Sequence, residues 1–405
     1  MILIRLGENM GWLGLDDTDH LGGGCTTKTL DILIKGLPKN IEVGELRLVR
    51  LWPFAKQRTR GNASVAVELI CTDEKKLLNH LDTWWKDNIL PLAGEISSSE
   101  NYDRQQFPAD PGMIWFSRSL PSAEFYYNAA RKEVNIEDIP LAEKSWGGQG
   151  KIGATAAIAW DKKMVTYEAI GWRTETNTGI EKARKIDVQR LQDIDEMEYT
   201  FMSRDPRTGN SMIAPRGPCP VLFGIRARKY QVAKNAAQYL LDSRNTEDNS
   251  GMRIFTTNQA SDDHLEENLS DIVKDTDILS RGTVVINCQE HKLLAFSESG
   301  DIKKLAQWLE SGDRISFNGL INHDGAIHLE RLRIDSTVNK KVRPLCQKCN
   351  VKMKSMGQNQ PVRCPKCRDK SELKWNEITR EAPTTNWVQA PLNSRRHLTK
   401  PLEWN

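Results

Sequence analysis

The sequence predicts a multidomain α+β protein, and three observations support this. At 405 residues the chain exceeds what one core of ordinary size organises, so two to four domains are expected. Strand-like and helix-like segments alternate through the first 240 residues, short strands with one helical insert then recur from Arg281, and a four-cysteine array follows. Residues AVILMFWYC make up 39% and charged residues 27%, which suits a chain with a large buried core and not wholesale disorder.

Residues Ile2, Leu3 and Ile4 run at once into Arg5 and Glu8. No apolar run reaches the roughly eighteen residues of a membrane span, so the expectation is a cytoplasmic protein with no membrane partner. Between Trp12 and Leu37 a short apolar segment ends in Asp16, Asp17 and Asp19, Gly22, Gly23 and Gly24 follow, and Leu30, Leu33, Ile34 and Leu37 recur at helical spacing. This reads strand, loop, helix. Glu45–Arg50 and the alternating Ala63–Cys71 read as strands, and Glu74–Trp85 as a helix with Leu77, Leu78 and Leu81 on one stripe. A first domain is expected over 1–124.

A second domain, 125–260, is expected to open with a helix near Ala123–Lys132 and to carry a strand at 165–173 and a helix at 180–197. An apolar run at 214–229 then passes from a turn into a further helical stretch. Leu241–Asp277 holds ten acidic residues against three Lys or Arg and reads as a solvated connector, with one strand possible by pattern at Met252–Thr256. The runs TVVIN, LLAFS, RISFNGL and AIHLERLRI, interrupted by a helix near Ile302–Leu309, suggest a small barrel such as an OB-fold over 275–338.

Half of the eight cysteines stand as Cys346, Cys349, Cys364 and Cys367, two C-x2-C turns. Such turns place four thiolates at the corners of a tetrahedron, the arrangement of structural Zn2+, and four ligands leave no open position for chemistry. A zinc ribbon is therefore expected at 342–372, followed by a basic C-terminal tail at 373–405. From Lys341 to the end the net charge is +9, whereas the whole chain carries +3, so the rest is acidic by about −6. A basic end of this kind suits a polyanion.

Three carboxylates leaving one strand together repel one another unless a cation satisfies them. Asp16, Asp17 and Asp19 beside Thr26 and Thr27 therefore read either as a magnesium and phosphoryl-transfer site or as an Asx turn with a threonine N-cap. The run Gly147–Gly150 before Lys151 is not a Walker A loop, because Ile152 stands where Ser or Thr belongs, so it is either a phosphate-contacting loop or a simple turn joining a helix to a strand. Asp110 can receive a cationic substrate or serve only its turn, and Arg226 can contact phosphate.

These pieces together resemble the archaeal tRNA-isoleucine 2-agmatinylcytidine synthetase family. The resemblance runs through GLDDTDHLGGGCTTKT at 14–29, FPADPG at 107–112, GGQGKIGA at 147–154, PRGPCPVLFGIR at 215–226, the four-cysteine ribbon and SRRHLTKP at 394–401. It implies a kinase-like N-terminal domain, a ferredoxin-like domain, an OB-fold and a zinc ribbon. It implies that ATP, Mg2+, agmatine and tRNA(Ile2) react so that a phosphoryl group of ATP is transferred to the C2 oxygen of the wobble cytidine and the agmatine nitrogen then displaces it as phosphate.

By the same resemblance the catalytic acids fall on Asp16 and Asp17, with Asp19 as third member, and the autophosphorylated threonine on Thr27 or its neighbour Thr26. Gly22, Gly23, Gly24, Gly148, Gly150 and Lys151 are candidates for nucleotide or RNA phosphate. Asp110 is the candidate for agmatine. Arg226, Arg343, Arg395 and Arg396 are candidates for RNA. Family members commonly carry an acid where this chain has Cys219. The rival expectation is a non-catalytic tRNA-binding protein built on barrel and ribbon, and a monomer is expected in either case.

Overall fold

Alternation along the first strand decides the layers of the larger unit. The computed structural model describes residues 9–20, 22–58, 61–96, 107–174, 183–215, 217–357 and 360–404. The first residues read above, Ile2–Arg5 and Glu8, and the start of the helix expected at 180–197 lie outside the described residues. Two compact units divide the chain: 1–266 together with 392–405, and 267–391.

In the first unit, strand β1 (Asn9–Asp16) turns Leu13 and Leu15 to one face and Trp12 to the other. The first face packs against helices α1 (Thr26–Gly36) and α2 (Glu74–Trp84) through Leu30, Leu33, Leu77 and Leu81. The other receives α3 (Ala123–Arg131) and α4 (Gly150–Ala159), whose small residues let it lie close to the sheet. A side chain on Gly14 would place its Cβ 2.3 Å from the Ala154 carbonyl oxygen, so only glycine admits this helix.

Nine strands form one sheet. They are β1, β2 (Glu42–Arg50), β3 (Ala63–Cys71), β4 (Gly112–Phe116), β5 (Lys144–Gly147), β6 (Thr166–Arg173), β7 (Thr200–Phe201), β8 (Val221–Ala227) and β9 (Asn249–Thr257), in the spatial order β5-β4-β1-β3-β2-β9-β6-β8-β7. The joint between its two halves is the parallel pairing of β2 with β9, Arg47 opposite Thr256 and Leu48 opposite Thr257. Helices α5 (Val188–Glu196) and α6 (Tyr230–Leu241) cover the far half through Leu191, Ile194, Ala233 and Leu240.

Two expectations change here. The acidic stretch 241–277 is not merely a connector, because β9 sits near the middle of the sheet, hydrogen-bonded on both sides. The glycine-rich loop joins a strand to a helix, β5 to α4, and not the reverse.

The second unit begins with β10 (Leu269–Ile278), β11 (Val284–Cys288), β12 (Lys292–Ala295), α7 (Asp301–Trp308), β13 (Arg314–Ile321) and β14 (Ile327–Ser336). Neighbours pair in the order β12-β11-β10-β13-β14, and β12 also pairs with β14, which closes the five strands on themselves. Ile286, Leu293, Phe317 and Leu332 fill the interior under Ile302 and Leu305 of α7. Beyond it lie two short ribbons. The strand β15 (Lys340–Val342) pairs with β18 (Asn376–Ile378), and β16 (Val362–Arg363) with β17 (Lys370–Ser371) among the cysteines.

The last part of the tail, 392–405, belongs to the first unit. There Ala260 N–H donates to the His397 carbonyl and Asp262 N–H to the Leu398 carbonyl, and Leu398 and Thr399 are buried. No described helix is long and apolar enough to cross a membrane.

Candidate active site

The acids at the end of β1 are tied to two distant segments of sequence. Asp16 Oδ1 accepts the Asp17 N–H at 2.8 Å, and Asp17 Oδ2 accepts the Asp110 N–H at 2.7 Å. The Asp110 carboxylate in turn accepts the Gln149 N–H at 2.8 Å, and the Asp110 carbonyl accepts the Gly150 N–H at 2.9 Å. Asp17 has φ +55°, a left-handed backbone that Asp tolerates better than most residues and that holds the turn away from strand geometry.

Beside this chain of hydrogen bonds opens a cleft of about 350 Å³. Asp16, Asp17 and Asp19 line it with Gln149, Gly150 and Gly153. Leu51, Ala129, Val134, Ile136 and Ile152 supply apolar lining, Lys56, Arg58 and Lys132 bring positive charge, and Glu133 and Glu137 bring further negative charge. Burial, and then the charges of Asp17 and Asp19, push the Asp16 carboxyl well above the usual range, while the Asp17 amide pulls the other way. A cation beside the three acids would offset this repulsion.

The loop residues Lys56, Arg58 and Asn62 carry no signal in the sequence reading, although KQRTRGN at 56–62 is a dense basic run beside a glycine. Asn62 Nδ2 donates to the Trp52 carbonyl at 2.8 Å and Arg58 to that of Ala55 at 2.9 Å. Arg396 from the C-terminal segment lies over the Phe54 ring of the same loop, 4.8 Å from its centroid. Arg395 is half-buried beside it in sequence.

The two threonines point to different neighbours. The Thr26 hydroxyl lies 3.3 Å from that of Thr18, inside the acidic turn. The Thr27 hydroxyl instead accepts the Trp172 indole N–H at 3.2 Å and lies 3.0 Å from Cys25 Sγ. Gly22–Gly24 close a small turn, in which His20 and Gly23 exchange backbone hydrogen bonds at 3.0 and 3.1 Å and the Gly22 N–H donates to His20 Nδ1. They do not line the cleft.

The glycine loop differs from a phosphate cradle. Gly148 N–H donates to the Pro111 carbonyl, Lys151 N–H to that of Gly148 and Ile152 N–H to that of Gln149, so with Asp110 holding Gln149 and Gly150 every amide of the turn is already taken. Neither Gly148 nor Lys151 lines the cleft. Asp110 acts as the anchor of this loop.

Arg226 is placed away from the cleft mouth. It is buried, paired with Glu168 at 3.4 Å and donating to the Met202 carbonyl, and so serves the interior of the sheet. Cys219 is also buried, and its sulfur accepts from Arg184, whose guanidinium also holds the carbonyls of Gly217, Cys219 and Val221. In the second unit Arg343 donates to the Lys374 carbonyl and stacks over Trp375 at 3.8 Å.

Cys346, Cys349, Cys364 and Cys367 bring their sulfurs within 4.8 Å of one another. Lys366 and Cys367 N–H groups point at Cys364 Sγ at 3.4 and 3.5 Å. Burial opposes ionisation of Cys364, but these amides outweigh it and bring the thiol down to about 6. The donor set fits a tetrahedral zinc ion.

Family models match three stretches: the TiaS TCKD domain at 12–149, the TiaS FLD domain at 148–264 and the TiaS C-terminal zinc ribbon domain at 343–381. The tRNA(Ile2) 2-agmatinylcytidine synthetase TiaS of Pyrobaculum neutrophilum is 30% identical over 417 residues, covering 97% of this chain and 93% of its own. That of Methanopyrus kandleri is 28% identical over 440 residues, with 97% and 96% covered.

Among solved structures, a TiaS-tRNA(Ile2)-ATP complex superposes with a TM-score of 0.78 at 25% identity, covering 98% of this chain and 97% of that one. Apo TiaS, a tRNAIle2 agmatidine synthetase, gives 0.73 at 26%, with 97% of each chain covered. With its acidic turn, its four-cysteine centre and its full-length likeness to these enzymes, the chain belongs to the tRNA(Ile2) 2-agmatinylcytidine synthetase family.

Proposed function

We propose that the protein is an ATP-dependent ligase that attaches agmatine to C2 of the wobble cytidine, C34, of tRNA(Ile2), giving agmatidine and changing decoding from AUG to AUA. The observation that carries the catalytic assignment is the hydrogen-bond path Asp16–Asp17–Asp110–Gln149, which brings three separate segments to the edge of one cleft. The cleft is at the small end of the range for nucleotide-sized ligands.

The apolar lining at Leu51, Ala129, Val134 and Ile152 suits an adenine ring, and the carboxylates suit the phosphate end when a cation bridges the two. Lys56, Arg58 and Lys132 reach the phosphates of ATP or RNA in place of the committed loop amides. Asp16, Asp17 and Asp19 are hard oxygen donors and fit Mg2+, which when bound neutralises charge on the transferring phosphoryl group. The residues themselves orient the nucleotide from one side of the cleft.

A carbonyl oxygen is a poor leaving group. Phosphorylation of the cytidine C2 oxygen makes it a phosphate that the agmatine nitrogen can displace. Thr26, whose hydroxyl meets the acidic turn through Thr18, is better placed than Thr27 to receive phosphate itself. Agmatine binding draws no carboxylate from the 215–221 turn, because Cys219 stands there and Arg184 occupies its sulfur.

We read 1–124 as kinase-like, 125–260 as ferredoxin-like, 275–338 as an OB-fold and 342–372 as a zinc ribbon. The five strands closed by β12 and β14 support the OB-fold reading. Arg343, Arg395 and Arg396 remain the proposed phosphate contacts for tRNA. Incubating the purified protein with magnesium, ATP, agmatine and tRNA(Ile2), then weighing the wobble nucleoside, tests the proposal. Agmatidine should form only when all are present, and binding of tRNA without any modification would leave a tRNA-binding protein.

A further inference from the structure

Asp16 rests in a socket that exists only because residue 153 has no side chain. A Cβ built on Gly153 would lie 1.9 Å from Asp16 Oδ2 and 2.8 Å from its carboxyl carbon. The same point is 3.2 Å from Ser64 Cβ. Ser64 stands on β3 one residue beyond the last β1–β3 pair, Leu15 with Val65, and it is fully buried with a hydroxyl that has no hydrogen-bond partner. The volume between α4 and the sheet is thus shared by one carboxylate, one glycine and one unused polar atom.

We propose that Gly153 is a positioning residue for the phosphoryl-transfer site, holding open the space that fixes the direction of the Asp16 carboxylate. The inference rests on the reading of Asp16 given above. Its physical basis is that the obstructed group is a side-chain end. Backbone obstructs at Gly150, where a Cβ would meet Gly112 N at 2.3 Å and Asp16 O at 2.6 Å, so a change there disturbs the fold. At Gly153 the carboxylate can swing aside, so the fold survives while the acid loses its place. Ser64 adjoins the same space, 3.2 Å from where the added Cβ would lie.

A structural role and a positioning role make opposite predictions for Gly153→Ala. Gly153 lies inside α4, where alanine is the better helix former. Melting temperature should therefore be unchanged or slightly higher. Phosphate transfer to tRNA should fall by roughly 100-fold or more, as expected when a group acting on developing charge is misdirected. Magnesium should lose its ability to tighten ATP binding, measured by titration calorimetry with and without the ion, and tRNA affinity should be kept.

Asp16→Asn serves as the companion. If Asp16→Asn abolishes transfer and Gly153→Ala transfers phosphate within about twofold of wild type, the socket is refuted and the acidic site stands. If Gly153→Ala melts several degrees lower with equal loss of tRNA and ATP binding, its role is packing and the inference is also refuted. If Asp16→Asn itself is fully active, the assignment of Asp16 falls first.

Discussion

Asp17 Oδ2 accepts the backbone N–H of Asp110 at 2.7 Å, a contact across 93 positions of sequence that joins the acidic turn to the loop anchoring α4. One side chain thereby does two things: it fixes a remote backbone and it presents negative charge to the cleft.

Asp17→Asn separates these tasks. Asparagine keeps an acceptor oxygen for Asp110 and tolerates the left-handed backbone at φ +55°, so the fold should be retained. Charge is lost, and phosphate transfer should drop by at least about 100-fold. Tight tRNA binding with no transfer, measured by filter binding and labelled phosphate, is the expected pair of results.

Thr26 and Thr27 differ by the company of their hydroxyls. Mass spectrometry of protein incubated with ATP should find phosphate on Thr26 in the wild type and in Thr27→Val, and none in Thr26→Val. Thr27→Val should instead cost about 1 kcal/mol of stability, the ordinary value of the lost Trp172 hydrogen bond. Phosphate on Thr27 alone would reverse the assignment.

Asp31 is buried among Lys28, Lys35 and Arg253 at 3.2, 2.8 and 2.7 Å, and Arg253 comes from β9, so this carboxylate ties α1 to the middle of the sheet. Burial raises its pKa, but hydrogen bonds from Lys35 and Lys28 and the Arg253 charge outweigh burial and hold it below the ordinary value. A depressed carboxylate contributes stability that is full above its unfolded pKa, about 3.9, and is lost as pH falls through the lower folded value. Asp31→Asn should destabilise the protein by roughly 3 kcal/mol at neutral pH and flatten the acid limb of the stability curve. An unchanged acid limb in denaturant titrations would show that the cluster carries no net stability.

Removal of zinc should unfold the ribbon alone. With Cys364→Ser, which leaves three sulfurs, or with a strong chelator, the site loses the ion that ties its two turns together, so metal content and tRNA affinity should fall together. The melting transition of the nine-stranded sheet should persist, because its core residues lie in the other unit. Normal zinc content in Cys364→Ser would exclude it as a ligand.

The ribbon and the strand–loop–helix at the N-terminus were legible because each is written in short spacing: two C-x2-C turns, and an apolar strand ending at Asp16 before a helix opening at Thr26. Strand β9 was harder to read. Of its nine residues only Phe255 and Thr257 are buried, so it takes its place from backbone pairing with β2 and β6 and not from an apolar pattern. The cleft was harder still, since Lys56, Asn62 and Lys132 come to line the same cleft as Asp16 only through tertiary packing. The basic tail reads as an end suited to a polyanion, and its pattern does not show that Leu398 and Thr399 are buried in the first unit, where the Ala260 and Asp262 amides hold the His397 and Leu398 carbonyls.

The most direct measurement follows labelled γ-phosphate from ATP onto tRNA(Ile2) in the absence of agmatine, comparing wild type with Asp17→Asn. Phosphate trapped on the wobble cytidine by the wild type and not by the variant is the predicted result. Equal labelling by both proteins would contradict the placement of the chemistry at the end of β1.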